Sequence, residues 1–280
     1  MVIRLAQPTT LDLDLVDQIV IERQGGKNAV YFTSIKSLWL SRINDYRLYR
    51  GNPESILIWP NIDIHKTKFL TLYNSPKDNS VQKPILENLR SRKLQLCPAC
   101  GEDGQPNTLD HYLPKDLYPE FSITPINLFP MCDICQGEKL AQTVNINNKR
   151  LYLQPYFDNF LSAQAVDLSI GRPFNAPRWI NISPHHQLDK NDSALVGRHL
   201  AGINYAKRYM RFFSDEHLRL LKLVNRLRES GQNVKQNLEN FRENAKDKSI
   251  NSWGHIFYDG VLKNPSLVRH LEIGKLPSYI

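Results

Sequence analysis

The chain has 280 residues, of which 41% are hydrophobic and 23% charged, a composition typical of a folded globular protein and not of a disordered or fibrous one. No stretch reaches the roughly 18 consecutive apolar residues that a membrane span requires, so we expect a cytoplasmic protein with no membrane partner. The formal net charge of +8 favours a polyanionic partner such as nucleic acid, although charge alone does not separate such a protein from an ordinary basic one.

The N-terminal region, residues 1–84, is predicted to be a mixed α/β segment that is a candidate for docking a partner. Residues 11–49 combine short apolar runs with a predicted helix. The apolar sequence of residues 55–59 is typical of a strand, and the prolines around it predict loops. The amphipathic pattern of residues 85–96 predicts a helix that leads into the first cysteine.

The C-terminal region, residues 161–280, is predicted to be mainly helical. Prolines make residues 160–192 irregular or stranded, and Asp192-Ser193 is the predicted N-cap of the first helix. A second helix is expected after a cap at Ser214-Asp215, and a third from about Val234 to Lys246. The basic excess of this region is either a solvated helix face or a surface that follows phosphates.

The four cysteines form two C-x-x-C pairs, Cys97 with Cys100 and Cys132 with Cys135. In a cytosolic chain this arrangement indicates a tetrathiolate metal site, with buried unmetallated cysteines as the alternative. A closed shell of four cysteines is structural rather than catalytic. We therefore predict that Zn²⁺ supplies much of the folding free energy of a small core over residues 85–160.

Three polar elements accompany the cysteines: Asp110-His111 between the pairs, Asn127 before the second pair, and Gln136 directly after it. This pattern resembles HNH endonucleases of the ββα-metal, treble-clef type. In that family a cysteine pair precedes an Asp-His on the first strand and an Asn on the loop, and a second pair opens the helix that carries the last motif residue. His111 matches the first His, Asn127 matches the Asn, and Gln136 stands where the family has His or Asn.

The resemblance covers about a quarter of the chain and implies an α+β fold. Its small zinc-stabilised ββα-metal core would span residues 85–160, between the N-terminal mixed region and the C-terminal helical region. Residues 109–115, 118–121 and 154–158 are more narrowly similar to HNH effector subunits of bacterial antiphage systems, such as the nuclease subunit PtuB of Septu, also found with some retrons. That similarity implies a role in phage defence together with an ATPase subunit.

The resemblance further implies hydrolysis of phosphodiester bonds, with DNA favoured over RNA as substrate. We expect His111 to take a proton from the attacking water, because imidazole titrates near neutral pH. Asp110 and Gln136 are expected to hold one Mg²⁺ or Mn²⁺ against the phosphate, since these cations prefer oxygen ligands. Asn127 is expected to orient the loop or the His111 ring.

Gln136 is a departure from the family, because its extra methylene displaces the amide oxygen and weakens metal binding unless Glu138 substitutes. The alternative function is therefore a catalytically weak or inactive treble-clef zinc module that binds nucleic acid or a partner protein. Lys115 and Lys139 are predicted to be surface lysines, with contact to substrate phosphates as the alternative.

The other candidate residues are assigned structural roles. Adjacent histidines on an extended segment face opposite ways, so His185-His186 is not expected to be a metal pair. His199 and His217 are expected to be core or surface histidines. An aromatic set follows helical spacing, which favours helix packing over base stacking; its members are Tyr205, Tyr209, Phe212 and Phe213.

Overall fold

The computed structural model describes residues 2–10 and 12–278. Within it the N-terminal region is helical. Positions 1, 11, 279 and 280 of the predicted regions 1–84 and 161–280 lie outside the described residues. The helices here are α1 (Asp12–Glu22), α2 (Ala29–Leu48), α3 (Lys66–Asn74) and α4 (Gln82–Arg90). The prediction of a helix before the first cysteine is confirmed by α4, but the helix ends at Arg90 and residues 91–96 are not helical, so it does not lead into Cys97.

The predicted strand over residues 55–59 is wrong, because these residues form turns and irregular backbone. Pro53 and Pro60 bracket the segment, and proline cannot donate a ladder hydrogen bond. Ile56 is buried, whereas the next residue, Leu57, is 74% exposed, and no described strand lies beside the segment to pair with it. The apolar run therefore anchors a loop through one side chain.

The middle of the chain contains a short hairpin followed directly by a helix. Strands β1 (Thr108–His111) and β2 (Leu128–Met131) pair antiparallel, with Asp110 opposite Phe129. Helix α5 (Asp133–Lys139) begins immediately after β2, and the side chain of Cys132 caps it by accepting a hydrogen bond from the backbone N–H of Cys135. The second cysteine pair is thus fixed at a helix N-terminus.

The C-terminal region begins with a second antiparallel hairpin, β3 (Val166–Ile170) with β4 (Ile180–Pro184). Five helices follow: α6 (Lys190–Gly202), α7 (Tyr205–Glu229), α8 (Val234–Lys248), α9 (Trp253–Leu262) and α10 (Pro265–Ile273). The described residues therefore have a mixed α+β fold with two small antiparallel sheets. The predicted strands before residue 192 and the predicted helix near residues 234–246 are confirmed.

Two predicted helix boundaries in this region are wrong. The N-cap of α6 is Asp189 and not Asp192, because the Asp189 carboxylate accepts hydrogen bonds from the first free backbone N–H groups. Helix α7 continues through Ser214, whose hydroxyl donates to the backbone oxygen of Met210 inside the helix at 2.9 Å. The break falls instead at Asn204, which adopts a left-handed conformation with φ of 53°.

One hydrophobic core connects the three predicted regions. The indole N–H of Trp39 in α2 donates to the backbone oxygen of Glu120 at 2.9 Å. The indole N–H of Trp253 in α9 donates to the backbone oxygen of Cys100 at 2.7 Å. The predicted aromatic set packs here as helix core: Tyr205 and Tyr209 are fully buried against Trp253. Burying side chains of this size contributes roughly 1.5–3 kcal/mol each.

Across the described ranges, no helix combines the length and the apolar character needed to cross a membrane.

Candidate functional site

The two cysteine pairs converge on a single point beside α5. The Sγ atoms of Cys97, Cys100, Cys132 and Cys135 all lie within 4.8 Å of one another, and Cys132 alone of the four is more than slightly exposed. Zinc–sulfur bonds of about 2.3 Å place tetrahedral sulfur ligands ~3.8 Å apart, which this spacing accommodates. The four-cysteine group can therefore hold a metal ion such as Zn²⁺, as predicted.

Backbone geometry around the cysteines favours bound thiolates. The N–H of Cys132 donates to Sγ of Cys97 at 3.3 Å, and the N–H of Cys135 donates to Sγ of Cys132 at 3.5 Å. Thiolates are the form that binds metal.

Glycine is required at the turn of the first pair. Gly101 has φ of 78°, and its N–H donates to the backbone oxygen of Cys97 at 2.8 Å. A Cβ atom at this position would come within 2.3 Å of the backbone oxygen of Asn251. The turn that presents Cys97 and Cys100 thus also seats the C-terminal region against the four-cysteine group.

Arg208 of α7 places its guanidinium group on the cysteine sulfurs. Its Nη1 lies 3.0 Å from Sγ of Cys135, and its Nη2 lies 3.5 Å from Sγ of Cys100 and is paired with Glu102. Although burial acts in the opposite direction, the charge of Cys100 raises the pKa of Arg208. Sequence reasoning missed this residue because it lies 73 positions from Cys135 and carries no local signal.

A polar surface cleft of about 570 Å³ opens between β1 and α5. Asp110, His111 and Gln136, all singled out in the sequence, line this cleft together, as does Lys115. Two carboxylates that sequence reasoning missed, Asp116 and Asp133, line the cleft as well. Asp133 directly follows Cys132, and this position in the sequence could have placed it near the site. The remaining lining residues are Pro114, Gly137, Leu140 and Ala141.

Asp110 is nearly buried and lies between two side chains of α5. Its Oδ1 accepts a hydrogen bond from Nε2 of Gln136 at 3.4 Å, and its Oδ2 lies 3.0 Å from Nζ of Lys139. The contact with Lys139 is an ion pair that is not aligned as a hydrogen bond, so Oδ2 is a buried oxygen without a hydrogen-bond donor. Asp110 and Gln136 are therefore adjacent.

Lys139 is neither a surface lysine nor a phosphate contact, and both predicted alternatives are wrong. Its side chain is 1% exposed, and Nζ donates to the backbone oxygen of His111 at 2.7 Å as well as pairing with Asp110. Lys139 follows Gln136 by three positions, a spacing that places both residues on one face of α5. The buried carboxylate of β1 draws the lysine inward, because an unpaired charge there is costly.

His111 is held as a neutral imidazole. Its Nε2 donates to the backbone oxygen of Ser122 at 2.8 Å, and its ring packs edge-on to that of Tyr73 with centroids 4.5 Å apart. Burial lowers the pKa of His111 to about 3, so the expectation that this imidazole titrates near neutral pH is wrong. With the proton on Nε2, the Nδ1 atom carries the lone pair of the imidazole.

Asn127 organises the loop between β1 and β2 and is fully buried. Its Oδ1 accepts from the N–H of Leu113 at 2.8 Å and from the hydroxyl of Tyr46, while its Nδ2 donates to the backbone oxygens of Leu113 and Phe121. Every polar atom of this side chain is thus occupied away from the cleft. Asn127 positions the loop and does not touch a ligand.

Glu138 is not a substitute for Gln136. It is exposed, does not line the cleft, and accepts a hydrogen bond from Nδ2 of Asn204 at 3.3 Å. The side chains of residues 136 and 138 leave a helix in different directions, so the two do not exchange roles.

The predicted structural histidines are confirmed as buried: His199 donates to the backbone oxygen of Ala99 at 2.8 Å, and His217 donates to that of Phe174 at 2.7 Å. The expectation that His185 and His186 face opposite ways is wrong, since their ring centroids are 4.3 Å apart. The strand ends at Pro184 and the chain turns at His186, so strand alternation no longer applies.

The chain is similar to Protein ea31 of Escherichia phage lambda, with 30% identity over 162 residues. The match covers 56% of this chain and 54% of the phage protein, so the chain spans about half the length of that relative. No protein-family model matches the chain, and no solved structure matches it significantly. The relationship is therefore partial, and its printed name describes no activity.

Proposed function

We propose that this chain is a metal-dependent HNH endonuclease that hydrolyses phosphodiester bonds in nucleic acid, with DNA favoured over RNA. The observation that carries the proposal is the shared cleft, in which Asp110 and His111 of β1 face Gln136 of α5. The order of hairpin, helix and cysteine pairs is the order that the family motif has, and this supports a ββα-metal core within residues 85–160.

In this proposal His111 acts as the general base. Its Nδ1 carries the lone pair, and the hydrogen bond from Nε2 to Ser122 and the contact with Tyr73 fix the orientation of the ring. The imidazole is neutral before the reaction, but its pKa of about 3 makes it a weak base, so in this proposal the negative charge of a bound phosphate raises that pKa as water attacks phosphorus. Asn127 contributes by fixing the loop after β1 and so the direction in which His111 projects.

The residues beside His111 fit one divalent cation. The amide of Gln136 can be turned about its last torsion so that its oxygen, rather than its nitrogen, lies beside Oδ1 of Asp110. Oδ2 of Asp110 already pairs with Nζ of Lys139, so Oδ1 is the carboxylate oxygen that would face the cation. When bound there, Mg²⁺ or Mn²⁺ would neutralise charge on the scissile phosphate and stabilise the departing oxygen.

Lys139 sets the charge balance of this site. Its ammonium group already neutralises Asp110, so the protein alone presents little net negative charge to a cation at this point. A substrate phosphate in the cleft supplies the missing negative charge, and we therefore expect the cation to bind more tightly with nucleic acid than without it.

The resemblance to antiphage effectors supports a role in phage defence together with an ATPase subunit, in the cytoplasm. The N-terminal region offers exposed apolar side chains suited to a protein partner. These are Ile21, Val30, Leu38, Leu48, Leu57 and Ile64. The net charge of +8 supports contact with the nucleic-acid backbone.

The alternative function is a non-catalytic zinc module that binds nucleic acid or a partner protein. The ion pair between Asp110 and Lys139 favours this alternative, because the ammonium group occupies the position beside the carboxylate where a cation would otherwise lie. Gln136 favours it too, since this side chain replaces the stronger ligand of the family.

Cleavage of plasmid DNA by the zinc-loaded full chain, with Mg²⁺ or Mn²⁺ and with and without an ATPase encoded beside it, separates the two functions. We expect cleavage that His111→Ala and Gln136→Ala abolish or strongly reduce. His65→Ala and Gln142→Ala, which lie outside the cleft, are the matched controls and retain it. Cleavage that persists in His111→Ala, or its absence with every cation and with the ATPase present, overturns the proposal.

A further inference from the structure

A second group of metal-binding side chains lies at the start of the β3–β4 hairpin. Among the described residues, Asp167, His185 and His186 offer three ligand atoms that lie within 4.8 Å of one another. His185 follows β4 and donates its backbone N–H to Ala165 at 2.9 Å, which places both histidines beside β3. The three residues come from two chain segments that the hairpin holds together.

The Asp167 carboxylate is directed at both imidazoles. Its Oδ2 lies 2.9 Å from Nδ1 of His186 and accepts the backbone N–H of the same residue at 3.0 Å. Its Oδ1 lies 3.6 Å from Nε2 of His185. Two ligands on one ion, each about 2.0–2.2 Å from it, are separated by ~3–3.5 Å, so these spacings require only small rotations of the side chains.

The protonation of His185 and Asp167 suits a cation. Burial lowers the pKa of His185, which leaves its imidazole neutral with a lone pair. Burial acts to raise the pKa of Asp167, but the hydrogen bonds from His186 and Lys263 outweigh it, so the carboxyl group stays ionised. A metal ion at Nε2 of His185 requires the ring proton to be on Nδ1. This proton position gives up a weak hydrogen bond, since Nδ1 accepts the N–H of Gln187 at a distance of 3.4 Å.

Lys263, the C-cap of α9, occupies one side of the carboxylate, with Nζ 2.9 Å from Oδ1 of Asp167. The same ammonium group lies 2.8 Å from Oδ2 of Asp259, one helical turn earlier. Lys263 therefore keeps an ion pair with Asp259 when a metal ion takes its place at Asp167. The group opens into a surface cavity of about 370 Å³, which His186 and Lys263 line, so an ion has access and space for water ligands.

We propose that Asp167, His185 and His186 form a second transition-metal site, distinct from the four-cysteine group and from the cleft beside Asp110. Two imidazoles and one carboxylate are the ligands that Zn²⁺ and ions of similar preference take, and such a set leaves coordination positions for water or a substrate group. An ion here clamps the two ends of the hairpin and releases Lys263 from β3.

Calorimetric titration with Ni²⁺ tests this site on the tag-free full chain, after its four-cysteine group has been filled with Zn²⁺. We expect one Ni²⁺ to bind per chain and to raise the melting temperature, because the ion binds the folded hairpin. His186→Ala and His185→Gln each weaken binding by about tenfold or more, whereas His65→Ala leaves it unchanged. His186 is 64% exposed at its side chain, so its replacement leaves the fold in place.

Lys263→Met provides an opposite and independent readout. Removing the competing ammonium group should tighten Ni²⁺ binding, since Asp167 then has no other cation beside it. The proposal is overturned if the zinc-loaded wild type binds no Ni²⁺, if His186→Ala binds it as well as wild type does, or if Lys263→Met weakens binding.

Discussion

Lys139 holds its ammonium group 3.0 Å from Oδ2 of Asp110, and both side chains are almost fully buried. The same group donates to the backbone oxygen of His111, so one side chain of α5 fixes two consecutive residues of β1. A buried charge is costly unless it is paired, and each partner therefore restricts where the other can lie. The relative position of β1 and α5, on which the cleft depends, follows from this pair.

Lys139→Met should destabilise the protein strongly, because it leaves Asp110 buried without its cation. We expect the free energy of unfolding to fall by about 3–5 kcal/mol, measured by urea denaturation of the zinc-loaded chain. Lys149→Met is the matched control, since its pair with Glu54 is exposed and should contribute less than about 1 kcal/mol. Equal losses in the two variants would show that the Asp110 pair does not stabilise the core.

Cys132→Ser should unfold the middle of the chain as well as abolish any cleavage. The residue is both a candidate zinc ligand and the N-cap of α5, so one change removes a metal bond and a helix cap. We expect a loss of more than about 4 kcal/mol, together with loss of zinc from the purified protein. His111→Ala should stay folded, with a loss of about 1–3 kcal/mol for the unpaired Ser122 oxygen. Equal melting temperatures for wild type and Cys132→Ser would contradict this prediction.

Arg208→Met should speed the release of zinc from the four-cysteine group. The guanidinium donates to the sulfur of Cys135 and compensates the negative charge of a tetrathiolate site. We expect a release rate about tenfold higher, followed with a coloured chelator in excess. Arg211→Met, an exposed change one turn further along α7, is the control and should release zinc as wild type does. A release rate that Arg208→Met does not change would assign the arginine to helix packing alone.

Local sequence pattern predicted the parts of this structure that depend on nearby residues. The four-cysteine group follows from the spacing of the two C-x-x-C pairs. The placement of Asp110-His111 on a strand and the helix after Cys132 follow from the resemblance to HNH endonucleases. The helix near residue 234 follows from its apolar period. These features required no knowledge of what packs against them.

Several of the errors concern residues whose surroundings come from distant parts of the chain. Residues 55–59 have the composition of a strand, but a strand needs a neighbour to pair with, and none lies beside them. Lysine side chains are usually exposed, but Lys139 is buried because it pairs with the carboxylate of Asp110. Arg208 meets the cysteines only because α7 crosses them in the folded chain. Periodicity does not encode such tertiary partners.

Stability should decline on acidification in part because of His199. Complete burial holds the pKa of His199 well below its ordinary value of 6.5, so the folded protein keeps the imidazole neutral while the unfolded chain takes up a proton. The unfolded state thus binds more protons below pH 6.5, and the free energy of unfolding falls as the pH drops from there towards the folded pKa. One such group removes about 1.4 kcal/mol per pH unit.

His199→Gln isolates this contribution, because glutamine can still donate to the backbone oxygen of Ala99 but does not take up a proton. Urea denaturation of both proteins between about pH 6 and pH 5 should give a pH slope that is smaller in the variant by about 1.4 kcal/mol per unit. Protons also compete with zinc for the thiolates, but that competition is common to both proteins and cancels in the difference. Identical slopes would show that His199 is not the group through which acid destabilises the fold.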